Sequence, residues 1–328
     1  MLRMRSSVLA VSIGAALWCG PGLAALQLTD AADPLVEIVP RERPRASATD
    51  AEPLLRIDSS LVLVPAHVTN TLGASVTGLS RDTFHVFEDR VEQTISSFYT
   101  DDAPVSIGFL FDASGSMRSK MKKSAEAAAA FFRTTNRDDE FFLIEFNDRA
   151  RLTVPFTNES DVVYQQITHT RPTGRTTLID GIHLALAQMK KARHARRALV
   201  ILSDGGDNWS RHSAREVRSA LLEADVQMYA MGIFDAEMRT AEERNGPRLL
   251  DELTELTGGR HYPVESLEDL PAISEKIGRE LRTQYLLGYY PTNPVRDGKY
   301  RQVMVKLGGA RAKELRITYR RGYYAPAD

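Results

Sequence analysis

The chain has 328 residues, of which 43% are apolar and 26% are charged, and its formal net charge is −1. This composition is typical of a globular protein with enough material for one full hydrophobic core and a smaller second one. The small net charge argues against nucleic acid as the main partner.

The first 24 residues have the pattern of an export signal. Arg3 and Arg5 precede the apolar stretch 8–18, and the Gly-Leu-Ala run at 22–24 favours cleavage at its end. The apolar stretch is too short for a membrane span, and no other segment approaches the ~20 apolar residues that a span needs. We therefore expect a signal peptide at 1–24 and an exported protein, periplasmic or secreted, without a transmembrane segment after signal removal.

Cys19 is the only cysteine, and it lies within this signal. A lipid anchor at Cys19 is a less favoured alternative, because the bulky Trp18 stands where a small residue precedes a lipidated cysteine. Cleavage would leave 40 basic and 43 acidic side chains, and neither a disulfide nor a cysteine metal site.

Four segments follow the signal. Residues 25–57 are rich in proline and arginine, with few large apolar side chains, which predicts a flexible linker. Residues 58–102 contain short β-like runs separated by glycine turns. In residues 103–283, strands alternate with helices, which predicts a doubly wound, mostly parallel α/β sheet with right-handed crossovers. Residues 284–328 return to β-like runs.

Within residues 103–283 we predict six strands and six helices. The segment 151–156 follows its predecessor after a very short turn, so it should be an antiparallel edge strand. The strands are expected at 105–112, 140–147, 151–156, 198–204, 226–234 and 259–264, and the helices at 117–135, 159–168, 179–194, 213–224, 247–257 and 267–283.

The β-like runs on either side of this α/β domain would each be only marginally stable alone. We expect residues 58–102 and 284–328 to close one small β-sandwich. The domain at 103–283 would then be inserted between the two halves of the sandwich and should fold alone.

One polar pattern lies where a site is expected. The run Asp-Ala-Ser-Gly-Ser at 112–116 closes the apolar run 105–111, which is typical of a strand buried on both faces. Ligands of open parallel sheets bind outside the carboxyl ends of the strands. Carboxylate and hydroxyl oxygens suit Mg²⁺ or Mn²⁺. The alternative interpretation is that Ser114 and Ser116 cap the following helix while Asp112 favours its dipole.

Two further segments follow in order. Gly-Arg-Thr-Thr at 174–177 precedes an amphipathic helix, and an apolar strand ends in Ser-Asp-Gly-Gly at 203–206. The three segments together resemble the metal-ion-dependent adhesion site (MIDAS) of the von Willebrand factor type A domain, which is also found in integrin I domains. There, an Asp-x-Ser-x-Ser run, a threonine from a Gly-x-Thr loop and a strand-end aspartate surround one divalent ion. The resemblance implies that the metal ligands are Asp112, Ser114, Ser116, Thr176 and Asp204.

Two neighbouring residues have open roles. Thr177 lies directly beside Thr176, and Arg175 replaces the second glycine of the family's common Gly-Gly-Thr, so Thr177 remains the alternative threonine at the metal. Asp207 follows the strand-end acid and would either support the metal ligands through hydrogen bonds or stabilise its own turn.

A wider resemblance covers about residues 58–328. Val-Thr-Asn at 68–70, Glu-Asp at 88–89, Tyr-Tyr-Pro-Thr at 289–292 and Arg-Gly-Tyr-Tyr at 321–324 are similar to a bacterial family of exported type A-related proteins. This second resemblance implies an architecture but no particular biochemical role.

The donor set predicts a binding function. Two aspartates offset the charge of one divalent cation, and Mg²⁺ keeps exchangeable positions where protein ligands are missing. The resemblance implies that an Asp or Glu carboxylate of a protein partner takes such a position. We therefore expect an exported, metal-dependent protein-binding module that acts in adhesion or interaction. The alternatives are a structural or assembly component of the cell envelope without obligatory metal use and, as a distant third, a metallohydrolase.

We do not expect an enzyme. Ser114 stands outside any Gly-x-Ser-x-Gly pattern. The sequence also lacks a Walker phosphate loop, a Gly-x-Gly-x-x-Gly pattern after a strand and a His-Glu-x-x-His pattern.

Overall fold

The computed structural model of this chain describes residues 61–100, 102–204, 206–234 and 241–327. The predicted signal peptide, with Cys19, and the predicted linker lie outside the described residues. Among the described residues, no helix is both long and apolar enough to cross a membrane.

The described residues contain fourteen strands and six α-helices. The strands are β1 (Val62–Asn70), β2 (Phe84–Glu88), β3 (Val91–Gln93), β4 (Ile95–Tyr99), β5 (Val105–Asp112), β6 (Glu140–Phe146), β7 (Ala150–Thr157), β8 (Arg196–Ser203), β9 (Gln227–Gly232), β10 (Arg260–Pro263), β11 (Tyr285–Tyr289), β12 (Tyr300–Leu307), β13 (Leu315–Tyr319) and β14 (Gly322–Tyr324). The helices are α1 (Met121–Phe132), α2 (Ser160–His169), α3 (Leu178–Met189), α4 (Ala214–Glu223), α5 (Ala241–Leu256) and α6 (Leu270–Arg282).

A six-stranded sheet forms the centre of the α/β domain. Its order is β10-β9-β8-β5-β6-β7, and all neighbouring strands are parallel except β6 and β7. The structure therefore confirms the predicted doubly wound fold and the antiparallel edge strand. Helices α1, α2 and α6 pack on one face of the sheet, and α3, α4 and α5 pack on the other.

Strand β5 occupies the position that matters for a ligand site. All eight of its residues are buried, because both faces of the strand are covered by helices. The chain leaves β5 to one side toward β6, and β8 lies on its other side. The order of the strands thus reverses at β5, and the crevice at such a point is where open α/β sheets bind ligands.

Three helix boundaries differ from the prediction by four residues or more, and one of them is the end of α3, which lies at Met189 rather than at 194. Helix α1 begins at Met121 rather than at 117, because a short 3₁₀ turn at Gly115–Met117 and a loop come first. Helix α5 begins at Ala241 rather than at 247. Pro247 lies within the helix instead of starting it. Its fixed φ angle is compatible with a helix, although its missing N–H removes one backbone hydrogen bond.

The flanking segments build a β-sandwich. Its two antiparallel sheets have the orders β13-β1-β11-β4 and β14-β12-β2-β3, and each sheet combines strands from before and after the α/β domain. The two sheets enclose one shared core, in which Val64, Val86, Leu287 and Val305 are buried.

A buried carboxylate joins strands from the two ends of the chain within this core. Oε2 of Glu88 accepts the hydroxyl hydrogens of Tyr289 and Tyr323, each at 2.8 Å. Burial, followed by the charge of Glu88, raises the pKa of Tyr289 well above its usual value, so this phenol stays protonated and donates.

We predict that Tyr289→Phe lowers the free energy of unfolding by about 1–3 kcal/mol, because a buried carboxylate loses one of its two donors. The matched control is Tyr290→Phe, since the Tyr290 side chain is 52% exposed; this change should stay within about 0.5 kcal/mol of the parent. Urea unfolding followed by circular dichroism measures both variants. Equal free energies for the two variants would contradict the prediction.

Candidate metal centre

Three loops meet at the carboxyl end of the central sheet. The loop after β5 is bonded to the loop before α3, since Thr173 N donates to Ala113 O at 2.8 Å and Gly115 N donates to Gly174 O at 3.0 Å. The loop after β8 joins the same group, because Asn208 N donates to the carbonyl oxygen of Thr176 at 3.1 Å. These backbone bonds bring together the five residues of the sequence-based site.

Asp112 is completely buried at the end of β5. Its Oδ1 accepts the N–H of Ser114 at 2.9 Å, and its Oδ2 accepts the hydroxyl of Ser203 at 2.5 Å. Burial, together with the nearby carboxylate of Asp204, raises the pKa of Asp112 to about 7 against the opposing effect of these hydrogen bonds. Two carboxylates therefore lie close together in a site where nearby positive charge does not fully offset their negative charge.

The hydroxyls of Ser114 and Ser116 lie side by side, with their Oγ atoms 3.0 Å apart. Ser114 is buried, whereas Ser116 is exposed. Ser114 precedes the short 3₁₀ turn without making a side-chain capping bond, and α1 starts only at Met121, with Lys120 at its cap position. Helix capping therefore does not account for the two serines.

Both threonines of the next loop are buried. The side chain of Asn208 accepts the N–H of Thr176 at 3.0 Å and so fixes the backbone at this residue. Oγ1 of Thr177 is buried and has no hydrogen-bond partner among the described residues. The structure thus places both threonine hydroxyls at this end of α3.

A tight turn shapes the start of this threonine loop. Gly174 has a φ of +78°, a conformation that favours glycine. The carboxylate of Asp148 fills the space where a Cβ of residue 174 would stand, and it accepts the N–H of Arg175 at 2.9 Å.

Lys120 is the third charged residue of the centre, and the sequence analysis did not predict its role. This lysine is buried, its Nζ lies 3.8 Å from Oδ2 of Asp204, and it donates to the carbonyl oxygen of Ile233 at 3.2 Å. A cation at the start of a helix is unfavourable for the dipole. Lysines at the beginning of α1 were therefore a signal that could have pointed to this segment, but that signal does not distinguish Lys120 from the exposed Lys122.

The donor set fits a hard divalent cation. Asp112 and Asp204 supply carboxylate oxygens, and the serines and threonines supply neutral hydroxyl oxygens, which suit Mg²⁺ or Mn²⁺. Within the described ranges, no cluster of three or more His, Cys, Asp or Glu is arranged to hold a metal. With Lys120 included, the three charged groups have a formal net charge of −1, which one divalent cation would reverse.

Residues 107–206 match the family model for the von Willebrand factor type A domain. This chain contains a von Willebrand factor type A domain. The match covers the strand and loop of Asp112, the threonine loop and the end of β8, which are the segments described above.

Several solved structures are similar to this chain with its type A domain. BatB from Bacteroides thetaiotaomicron is 18% identical, with 54% of this chain and 98% of that one covered and a TM-score of 0.43. A von Willebrand factor type A protein from Catenulispora acidiphila is 14% identical, with coverage of 69% and 66% and a TM-score of 0.48. Proximal thread matrix protein 1 from the mussel byssus, with a zinc-occupied MIDAS motif, is 19% identical, with coverage of 60% and 50% and a TM-score of 0.48. No curated protein matches the chain. Such low identities and TM-scores carry no function over to this chain.

Asp207 braces the loops of the type A domain. Its Oδ2 accepts the N–H of Ile179 at 3.0 Å, and its Oδ1 accepts the N–H of Ser210 at 3.2 Å. The carboxylate therefore stabilises its own turn and also holds the loop after β8 against the start of α3. The structure confirms that Asp207 stabilises its own turn. It shows no hydrogen bond from Asp207 to Asp112, Ser114 or Ser116 among the described residues, so support of the metal ligands stays a prediction.

We predict that protons and metal compete for this site. The pKa of Asp112 is raised to about 7, so this carboxyl is mostly protonated at pH 6 and mostly ionised at pH 8, and a cation needs the ionised form. The Kd for Mn²⁺ should therefore fall about ten-fold between pH 6 and pH 8. Titration calorimetry at the two pH values and constant ionic strength measures this change, and an unchanged Kd would contradict it.

We also predict that Lys120→Met tightens Mn²⁺ binding roughly ten-fold, because it removes a competing positive charge beside Asp204. The variant should be less stable than the parent, since the bond to Ile233 is lost. Lys122→Met is the matched control, because Lys122 is exposed on the same helix. If calorimetry finds that Lys120→Met binds Mn²⁺ no more tightly than the control, Lys120 does not oppose the metal.

Proposed function

We propose that this chain is an exported protein-binding module for adhesion or interaction, and that its type A domain captures a carboxylate of a protein partner through Mg²⁺ or Mn²⁺. The observation that carries the proposal is the arrangement of Asp112, Ser114 and Ser116. A buried carboxylate next to a second acid has its pKa raised to about 7, and beside it lie two serine hydroxyls that cap no helix.

The residues of the site would have different roles in binding the ion. Asp112, Ser114 and Ser116 come from one loop and would hold the ion from one side, while Thr176 and Asp204 would hold it directly or through water. A bound cation would supply a Lewis-acidic position open to an outside oxygen. Lys120 and the two aspartates together with the cation would have a formal charge of +1, so an anionic oxygen would be favoured over a neutral one.

A binding role is favoured over catalysis by the neighbours of Ser114. Its hydroxyl is bonded to another serine, and none of the histidines in the described ranges donates to or accepts from Asp112, Ser114 or Ser116. A serine nucleophile needs a positioned base.

A structural component of the cell envelope without obligatory metal use is the second candidate, and it differs from the first in its response to a chelator. The predicted export signal at 1–24 supports a periplasmic or secreted location.

The proposal predicts that metal binding and partner capture are lost together. Asp112→Ala should abolish Mn²⁺ binding in calorimetry, and Ser114→Ala should weaken it at least ten-fold, because each change removes a side chain that would bind the metal. Asp138→Ala is the control, since Asp138 is exposed at the opposite end of the sheet. Circular dichroism should show that all three variants keep the fold.

In a pull-down from envelope extract, the parent and Asp138→Ala should retain a partner in Mg²⁺ and release it in excess chelator. Asp112→Ala should retain none. A partner that binds equally well with chelator, or to Asp112→Ala, would remove the metal from the function and favour the structural role.

A further inference from the structure

Exposed arginines lie on loops at the same end of the sheet as the candidate metal centre. They come from four of these loops: the loop after β5, the β6–β7 turn, the loop before α3 and the loop after β8. We call this set the arginine rim, and its members are Arg118, Arg149, Arg171, Arg175 and Arg211.

The arginine rim has no carboxylate partners among the described residues. The acids of the same loops are occupied by the backbone: Asp148 accepts the N–H of Arg175, and Asp207 accepts the N–H of Ile179. Asp180 accepts two backbone N–H groups and pairs with His212 at 2.7 Å. The five guanidinium groups therefore face solvent without a side-chain counter-ion, beside a site that favours an anionic oxygen.

Trp209 adds an apolar surface to this rim. Its side chain is 52% exposed, and the guanidinium carbon of Arg175 lies 3.7 Å from the centre of the indole ring. Arg175 immediately precedes Thr176, so the stack lies next to the centre. Stacking restrains the arginine and reduces the entropy that it loses on binding. Exposed tryptophan and arginine are also the side chains that most often dominate a protein interface.

Two exposed acids lie on the opposite side of the same sheet end. Glu265 and Asp269 follow β10 there and are both exposed. A long polyanion such as nucleic acid, laid across the whole end, would meet these acids. A short acidic protein segment that reaches from the centre over the arginine rim would avoid them.

We infer that the partner presents a segment with several acidic side chains, one of which enters the metal centre while the others lie on the arginine rim beside Trp209. This inference rests on the proposed function and specifies its partner. It predicts that the rim governs affinity for a polyacidic ligand without governing affinity for the metal.

Synthetic peptides test the inference directly. A fluorescein-labelled hexaglutamate peptide is compared with the same peptide in which all but one glutamate are replaced by glutamine, by fluorescence anisotropy in excess Mg²⁺ and in excess chelator. Hexaglutamate should bind at least ten-fold more tightly than the single-glutamate peptide in Mg²⁺. Its binding should weaken steeply as salt is raised, because exposed charges are screened. Both peptides should lose binding in chelator and with Asp112→Ala.

Variants of the rim give the second readout. Arg171→Gln and Arg175→Gln should each weaken hexaglutamate binding by about three- to ten-fold, and Trp209→Ala should also weaken it, with the Kd for Mn²⁺ unchanged. Arg133→Gln is the control, because Arg133 is exposed at the opposite end of α1. An anionic phospholipid vesicle and a thymidine oligonucleotide are run in parallel and should bind more weakly than hexaglutamate.

The outcomes separate the two proposals. If both peptides need Mg²⁺ but bind equally, the acidic segment is wrong and the proposed function stands. If the vesicle or the oligonucleotide binds as tightly as hexaglutamate, the protein nature of the segment is wrong. If hexaglutamate binds equally well in chelator and to Asp112→Ala, binding does not pass through the centre, and both proposals fail.

Discussion

The buried carboxylate of Asp112 is the constraint around which the loops at the carboxyl end of the central sheet are arranged. It lies at the end of β5, accepts a hydrogen bond from the loop that follows, and accepts another from Ser203 on the neighbouring strand β8. Burying a charge costs several kcal/mol unless it is paired. Asp204 increases that cost, and Lys120 offsets it only in part, since its Nζ is 3.8 Å from Asp204 and there are two acids to one base. A divalent cation would replace this excess of negative charge by a net positive charge and would bind the hydroxyls of Ser114 and Ser116, which cap no helix.

The sandwich is connected to the type A domain through the last helix. α6 passes directly into β11, and at this junction Gln284 donates to the hydroxyl of Tyr229 in β9 at 3.1 Å. Glu280 of α6 is buried, accepts a hydrogen bond from Tyr262 of β10 and lies 3.7 Å from Nδ1 of His67 in β1. A displacement of α6 relative to β1, β9 and β10 would break these polar contacts. The sandwich, whose His67 lies beside Glu280, is therefore positioned to oppose or to respond to movements of α6.

Much of this architecture follows from patterns in the sequence. Strand β5 is an apolar run that ends in Asp112, and the apolar run of β8 is followed directly by Asp204, which predicts both their burial and the position of the site. The segment 151–156 could be assigned to an edge because a short turn permits only an antiparallel neighbour. The β-like runs at both ends have no local partner, which predicts that they pair with each other, and β1 indeed pairs with β11 and β13.

What the sequence missed depends on contacts between distant residues. Lys120 reaches Asp204 across 84 positions, and nothing local shows that this lysine is buried while Lys122 is exposed. The stack of Arg175 on Trp209 depends on how two loops close around α3. The late start of α1 has the same origin, because the loop after β5 is held by Gly174 and Phe146 rather than by its own helix propensity.

Anomalous diffraction from crystals of this chain soaked in Mn²⁺ tests the central claim most directly. We predict a single strong peak at the carboxyl end of β5, about 2.0–2.3 Å from the hydroxyl oxygens of Ser114 and Ser116, with the side chains of Thr176 and Asp204 in direct or water-mediated contact. The absence of a peak at this position, or a peak held by other residues, would contradict the account.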